Sequence, residues 1–501
     1  METTHVPIRN GAHVTDIKAD PAFTDRVRRA VFWRSGSQIL AQIVMWSATL
    51  LVVRLLEPSD YGLFAMTQVL LAIFAVFNGS GFASALVQAD SVDDKRIAQV
   101  FGMMILLNGA LAAIQWITAP LAAAHFDQPI VSDMLRVLAL SYLAMPLIQV
   151  PTAVLSRGLD FRKQAMANFT AAVASAITAL SCAYSGLGVW TLVFTPLVMF
   201  YVRGVGLMIA SGLWIRPSFD FRGSGPTMAF GGALLVSQIL WVIQSQADIA
   251  IAGTRFDPYH LGLYAEALFL TQIFTAKFIP PLNEVAFPSY VELKNNGTVV
   301  ASAFVSTVRL TMFVAAPLYL GMAVTAGPFV ETVFGPKWLE MIPFAQLLAL
   351  AMPFFALQII CSPATNAMGK PSIYVASSAA GAVIMPGAFL IGIHYGALGL
   401  GYAWLIGAPL LLLITMAVSL PTIGAKARDV FMAVLPSAAA AGIMAGIVFL
   451  VSSFIATLPA PARLAILVSV GAAVYLGISW RFQRHTIEDL VGVWLKKKRP
   501  V

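Results

Sequence analysis

The sequence predicts an all-α, polytopic membrane protein of about fourteen transmembrane helices, arranged as two pseudo-symmetric six-helix bundles plus two C-terminal helices. The first sign is composition: 59% of the 501 residues are hydrophobic and only 11% charged, where a water-facing domain carries roughly a quarter charged residues. Next, apolar windows of the ~20 residues needed to cross a bilayer recur along the whole chain with short polar breaks. The third is an internal repeat at an offset of 200, described below.

Windows between charged or Gly/Pro-rich breaks place spans at 35–56, 62–88, 97–124, 131–156, 165–186 and 188–212, then at 226–250, 260–288, 303–326, 341–368, 372–394, 397–419, 429–455 and 461–481. The eighth window is the least apolar. The implied organisation is an N-terminal tail (1–34), a six-helix lobe (35–215), a second six-helix lobe (226–420), two additional helices (429–481) and a basic tail (482–501). The N-terminal tail has no apolar core or cleavage site, so it does not read as a secretory signal.

Basic residues test the orientation. Of the 31 Lys and Arg, only Arg136, Arg255, Lys337 and Arg463 fall on the side opposite the termini, and Arg54, Arg203, Lys277 and Arg309 fall within spans. All the others lie on the side of the termini, which predicts that both termini are cytoplasmic. The +8 net charge therefore reads as topology, with no nucleic-acid partner expected. Cys182 and Cys361 each stand alone in apolar runs, and no disulfide, metal site or cofactor is expected.

Aligned without a gap, residues 37–64 match 237–264. Ser37-Gln38-Ile39-Leu40 falls on Ser237-Gln238-Ile239-Leu240, Ile43 on Ile243, Glu57-Pro58 on Asp257-Pro258, and Gly62-Leu63-Phe64 on Gly262-Leu263-Tyr264. The offset equals six spans, so span 1 corresponds to span 7 in the same orientation. Parallel repeats of this kind are a transporter device, with the substrate site between the halves.

Several short motifs recur in a family-like order: Leu55-Leu56-Glu57-Pro58 with Tyr61-Gly62-Leu63-Phe64, Leu159-Asp160-Phe161-Arg162-Lys163, Gly188-Val189-Trp190, Gly262-Leu263-Tyr264 and Gly335-Pro336-Lys337-Trp338. With them the chain resembles the oligosaccharide flippases of the Wzx or WzxC type, within the multidrug/oligosaccharidyl-lipid/polysaccharide exporter superfamily. The resemblance implies two six-helix bundles around a central cavity, alternating access, location in the bacterial inner membrane, and a polyprenyl-pyrophosphate-linked oligosaccharide as cargo. Membrane lipids and other polysaccharide assembly proteins are the implied partners. It transfers no individual cavity residue.

Those residues come from charge and spacing. Glu266, Lys277 and Glu284 fall within about 20° on one face of span 8, and Pro280-Pro281 removes backbone donors from the same helix. This reads as a cavity-lining stripe, with Glu266 and Glu284 as candidate ion-coupling groups; the alternative is a salt-bridge set tying the helix to its neighbours. On span 7, Gln238, Trp241, Ser245 and Asp248 share a face that suits sugar rings, or polar helix-to-helix contact. Arg203 and Lys277 are too deep to reach the interface comfortably and are the first candidates for phosphate oxygens. Arg54 and Arg309 are phosphate candidates too, or snorkel to the interface. Prolines within spans, such as Pro146, Pro196, Pro317 and Pro353, read as static kinks.

A multidrug or cation antiporter would share the architecture but calls for deep carboxylates, and spans 1 to 6 hold none. A peptidoglycan-precursor flippase is chemically closer. A membrane polysaccharide polymerase is the alternative from the enzymes, but no nucleophile–base pair, HExxH or phosphate-binding Gly loop is present, so no catalytic residue is assigned.

Overall fold

The structure, a computed structural model, describes residues 40–78, 82, 86–87, 93–158, 160–220, 235–484 and 486–488. The predicted N-terminal tail, the tail beyond Ile487 and Glu488, and motif residue Leu159 lie outside them. The described residues form helices joined by short turns, with no strand among them. We number the helices α1 (Leu40–Leu55), α2 (Pro58–Ala75), α3 (Asp94–Phe126), α4 (Pro129–Arg157), α5 (Phe161–Tyr184), α6 (Trp190–Ser211), α7 (Leu235–Ala252), α8 (Pro258–Asn295), α9 (Val300–Val333), α10 (Ile342–Ile359), α11 (Pro371–Gly392), α12 (Leu398–Ile423), α13 (Ala427–Phe454) and α14 (Ala460–Phe482). A 3-10 turn at Pro336–Met341 leads into α10, and a short turn of helix at Cys361–Ala367 continues it.

Ten of the described helices, α3 to α6 and α9 to α14, are long and apolar enough to cross a membrane. Helix α1 is apolar but shorter. Helix α8 runs for 38 residues with its carboxylates and lysines, which is why its window is the least apolar. Short connections turn successive helices back on themselves. We call the side from which α1 starts proximal and the other distal.

The sequence repeat is a repeat of helix starts. Glu57 caps α2, with its side chain on a first-turn N–H and Asp60 returning the bond, and Pro58 occupies the first helical position. In α8, Asp257 accepts the His260 N–H at 3.0 Å and Pro258 takes the equivalent place. An acidic cap followed by proline satisfies an otherwise unpaired N–H and presets φ for the helix. Two distal helix starts are thereby fixed alike.

Helices α3 to α6 pack among themselves, as do α7 to α12, and α13 and α14 add to the outside of α9. The Tyr475 hydroxyl donates to the Phe313 carbonyl at 2.7 Å, tying α14 to α9. The two groups meet chiefly where α2 crosses α8. There Gly62 lies against the Pro258 carbonyl and Gly262 against the Pro58 carbonyl. Contact of residue i with j and of j with i is what a two-fold relation places on its axis, and these four residues are equivalent in the sequence repeat. Small residues let two membrane helices bring backbone to backbone. One apolar core continues through the crossing, from Val53 and Met66 to Leu261, Leu263, Trp338 and Trp404.

A methyl group on either glycine would overlap backbone carbonyl atoms, which cannot rotate away as a side chain can. Gly62→Ala and Gly262→Ala should each therefore cost about 1 to 3 kcal/mol. The melting midpoint of the purified protein in detergent should fall for both, whereas Gly109→Ala, where an added Cβ meets nothing within 4 Å, should leave it unchanged. Equal midpoints for all three would refute the close crossing.

Candidate functional site

On the distal side the two helix groups are fastened around the start of α2. Trp338, fully buried, donates its indole N–H to the Val53 carbonyl at 3.0 Å, and Tyr61 meets its ring edge-on with centroids 5.3 Å apart. Lys337 Nζ reaches the Glu57 carboxylate at 2.7 Å and the Leu55 carbonyl at 3.4 Å. Arg54 Nε donates to the Val333 carbonyl at 2.9 Å, and a second guanidinium nitrogen binds the Thr332 carbonyl. These carbonyls end α9, where a cation complements the helix dipole.

Two of the Arg54 nitrogens thus serve the closure of the distal side, while the residue as a whole is exposed. The Glu57–Lys337 pair is partly exposed and contributes little by itself; the buried indole carries more of the contact.

Below the closure lie two cavities. One, of about 420 Å³, sits among α1, α2, α5 and α6 and is closed by α8; Tyr61, Gln68 and Thr195 supply polar atoms, and Glu266 is its one carboxylate. Glu266 is 7% exposed, and a charge held there needs compensation. The other, of about 530 Å³, lies wholly within the second group, in its proximal half, among α7, α8, the end of α10, α11 and α12. Gln238 and Trp241 line it, and Trp241 stacks on Phe355 with centroids 6.0 Å apart.

On the rest of the predicted α7 face, Asp248 makes the polar helix-to-helix contact that is the other reading of that face. Asp248 is fully buried and accepts the Tyr264 hydroxyl at 2.7 Å and the Ile249 N–H at 2.8 Å, while Trp404 donates to the same hydroxyl at 2.8 Å. Ser245 turns back on the Val242 carbonyl at 3.4 Å. Neither residue lines the cavity. At the repeat-equivalent positions the first group has Ala48 and Phe64, so this buried polar triad belongs to the second group alone.

The α8 stripe is divided by burial: Glu266 faces the first cavity, while Lys277 and Glu284 are exposed. Arg203 on α6 is half-buried with its Nε lacking a hydrogen-bond partner, and Arg309 on α9 is half-buried. None of Arg203, Lys277, Glu284 or Arg309 forms an ion pair among the described residues. The structure does not gather these charges into one cluster. Among the described residues no group of three His, Cys, Asp or Glu is placed to hold a metal ion.

Spacing along single helices missed Asn283, Gln358 and Asn366, which line the second cavity from different helices. It also missed Trp338, although Gly335-Pro336-Lys337-Trp338 had stood out as a motif.

Two helix groups related by a repeat, closed on one side and hollow below, define the class: a multi-pass membrane transporter. The fold is similar to that of the lipid II flippase MurJ in an inward closed conformation (TM-score 0.73, 16% identity, 91% of this chain and 99% of that one). It is also similar to an inward-facing multidrug resistance MATE family transporter of the MOP superfamily (TM-score 0.63, 16% identity, 76% and 94%).

Residues 51–343 match the family model described as polysaccharide biosynthesis protein, and the chain belongs to that family. Relatives include the teichuronic acid biosynthesis protein TuaB of Bacillus subtilis (strain 168), 22% identical over 66% of this chain and 69% of its own length. The succinoglycan biosynthesis transport protein ExoT of Rhizobium meliloti (strain 1021) is 23% identical over 71% and 72%. The lipopolysaccharide biosynthesis protein WzxC of Escherichia coli (strain K12) is 20% identical over 59% and 61%.

The closure is testable by charge and by bulk. Trp338→Ala removes a buried aromatic, a loss of roughly 3 to 5 kcal/mol, and should raise labelling of a cysteine at position 61 by a membrane-impermeant maleimide from the distal side. Lys337→Glu should do the same more weakly, and Glu57→Lys combined with it should restore protection. Labelling indifferent to Trp338→Ala would show that this contact does not seal the distal side.

Proposed function

We propose that this protein is a flippase that moves a polyprenyl-pyrophosphate-linked oligosaccharide repeat unit across the bacterial inner membrane, for exopolysaccharide or O-antigen-type synthesis. The lobes are 35–215 and 226–420, the two additional helices 429–481, and all fourteen helices span the bilayer. Both termini are cytoplasmic, so the proximal side is where cargo is loaded and the distal closure faces outward.

The observation that carries this reading is the reciprocal α2–α8 crossing between repeat-equivalent residues, fastened on the distal side, with one cavity at each helix group below it. A contact built on a two-fold axis can open by rocking one half against the other, without unfolding either. Membership of the polysaccharide biosynthesis family and the names of TuaB, WzxC and ExoT favour a glycan cargo over a drug.

A pyrophosphate taken from water into a low-dielectric passage needs cations along its way. Arg203, whose buried Nε has no hydrogen-bond partner among the described residues, and Lys277, which forms no ion pair among them, are suited to that task; Arg309 is suited near loading. Membrane lipids and polysaccharide assembly proteins are the further partners. Glu266 and Glu284 are the candidates for coupling to an ion gradient, Glu266 because its cavity offers it no salt-bridge partner among the described residues.

A deletion strain should accumulate glycolipid on the cytoplasmic leaflet. Arg203→Ala and Lys277→Ala should each lower export at least tenfold with normal protein levels; wild-type export in both would remove the phosphate assignment. Separately, Glu266→Gln and Glu284→Gln should flatten the dependence of transport on external pH. If the slope stays as in wild type, these carboxylates do not couple transport to protons.

A further inference from the structure

Three amide oxygens of residues that line the second cavity, those of Asn283, Gln358 and Asn366, have no hydrogen-bond partner among the described residues. Gln358 is 6% exposed, so its oxygen is desolvated. The Gln358 amide nitrogen rests on Ser377 at 3.5 Å and that of Asn366 on Ser362 at 3.3 Å, which holds these two groups in place. A buried acceptor left without a donor costs about 1 to 3 kcal/mol, so a set of three around one cavity asks for O–H or N–H groups from a ligand.

The rest of the lining narrows the class. Among the described residues, no ionisable side chain other than the Cys361 thiol and the Tyr374 phenol lines the cavity. An anionic pyrophosphate, rich in acceptors, would find acceptors opposite its own. Trp241, backed by Phe355, offers an aromatic plane at one wall, and Thr415, hydrogen-bonded to Ser377 at 2.6 Å, adds hydroxyls at another. A volume of about 530 Å³ lies within the range of small-molecule sites and admits a few sugar rings.

We infer that this cavity is a saccharide subsite, holding uncharged sugar residues of the cargo by their hydroxyls while the pyrophosphate stays outside it with the cations. The inference rests on the proposed flippase function and assigns the two ends of the cargo to different places. It also gives the second lobe a task the first lacks, since the first-lobe cavity presents mainly apolar walls and a carboxylate.

The probe is the free saccharide released by mild acid from glycolipid trapped in the deletion strain. Binding to the purified full-length protein in nanodiscs is read by quenching of tryptophan fluorescence and by calorimetry. Wild type should bind, and Gln358→Met and Asn366→Leu, both near-isosteric, should weaken binding about tenfold or more. Inorganic pyrophosphate should not compete, and competition by it would overturn the separation of the two ends of the cargo. A probe that fails to bind wild type, or binds both amide variants equally well, overturns the subsite and leaves the flippase reading in place. If the deletion strain traps no glycolipid, the flippase reading fails, and the subsite with it.

Discussion

The close approach of α2 and α8 is the constraint on which the rest of the molecule depends. Lipid gives helices no hydrophobic reason to associate, since its tails are as apolar as their side chains. Two helix bundles in a bilayer therefore need contacts of their own, and here the nearest is backbone on backbone, available only because Gly62 and Gly262 lack a Cβ. At the point of nearest approach no side chain locks one helix to the other, so the contact can be parted and remade. The directional contacts, Trp338 on Val53 and Arg54 on the end of α9, lie beside it, where they bias the pair toward closure without welding it.

Much of this fold was legible because lipid leaves the chain few choices. Every backbone polar group must be satisfied within its own segment, so apolar windows become helices, and the acidic-residue–Pro pairs at 57–58 and 257–258 mark two helix starts. What the windows did not give was the extent of the less apolar helices. Helix α8 continues to Asn295 and α2 ends at Ala75, because capping and packing set those ends while hydropathy records only the solvent. The repeat showed which residues are equivalent; that the equivalent residues touch one another is a property of where the axis falls.

The site was legible only in part, and what the spacing left open has a common cause. Depth along a helix places a residue relative to the membrane but says nothing of the neighbour it meets. Arg54 was placed correctly near a helix end, and two carbonyls of α9 take up its donors. Angular spacing put Asp248 on the same stripe as Trp241, yet Tyr264 and Trp404, from two other helices, draw it into a buried triad. Asn283, Gln358 and Asn366 carry no periodic signal, since one cavity gathers them from separate segments of chain. Gln238 and Trp241 were found because a pair one turn apart on one helix is a pattern a sequence can display.

On the flippase function proposed above, the separation of the cations from both cavities follows from what each end of the cargo must do with water. A cation can compensate a phosphate only where the passage is wet enough to keep that cation charged between cargoes, which places such residues on exposed or half-exposed faces, as at Lys277 and Arg203. Sugar hydroxyls make the opposite demand: they exchange water for protein hydrogen bonds with little net change, so they can be held in a recess of neutral amides. A glycolipid head group combines both chemistries within one molecule. A transporter that handled both with one cluster of charges would hold the anionic end too tightly to release it, whereas neutral recognition of the sugar beside sparse cations spreads the binding over many weak contacts. Spread thus, the cargo can be let go when the two halves rock apart.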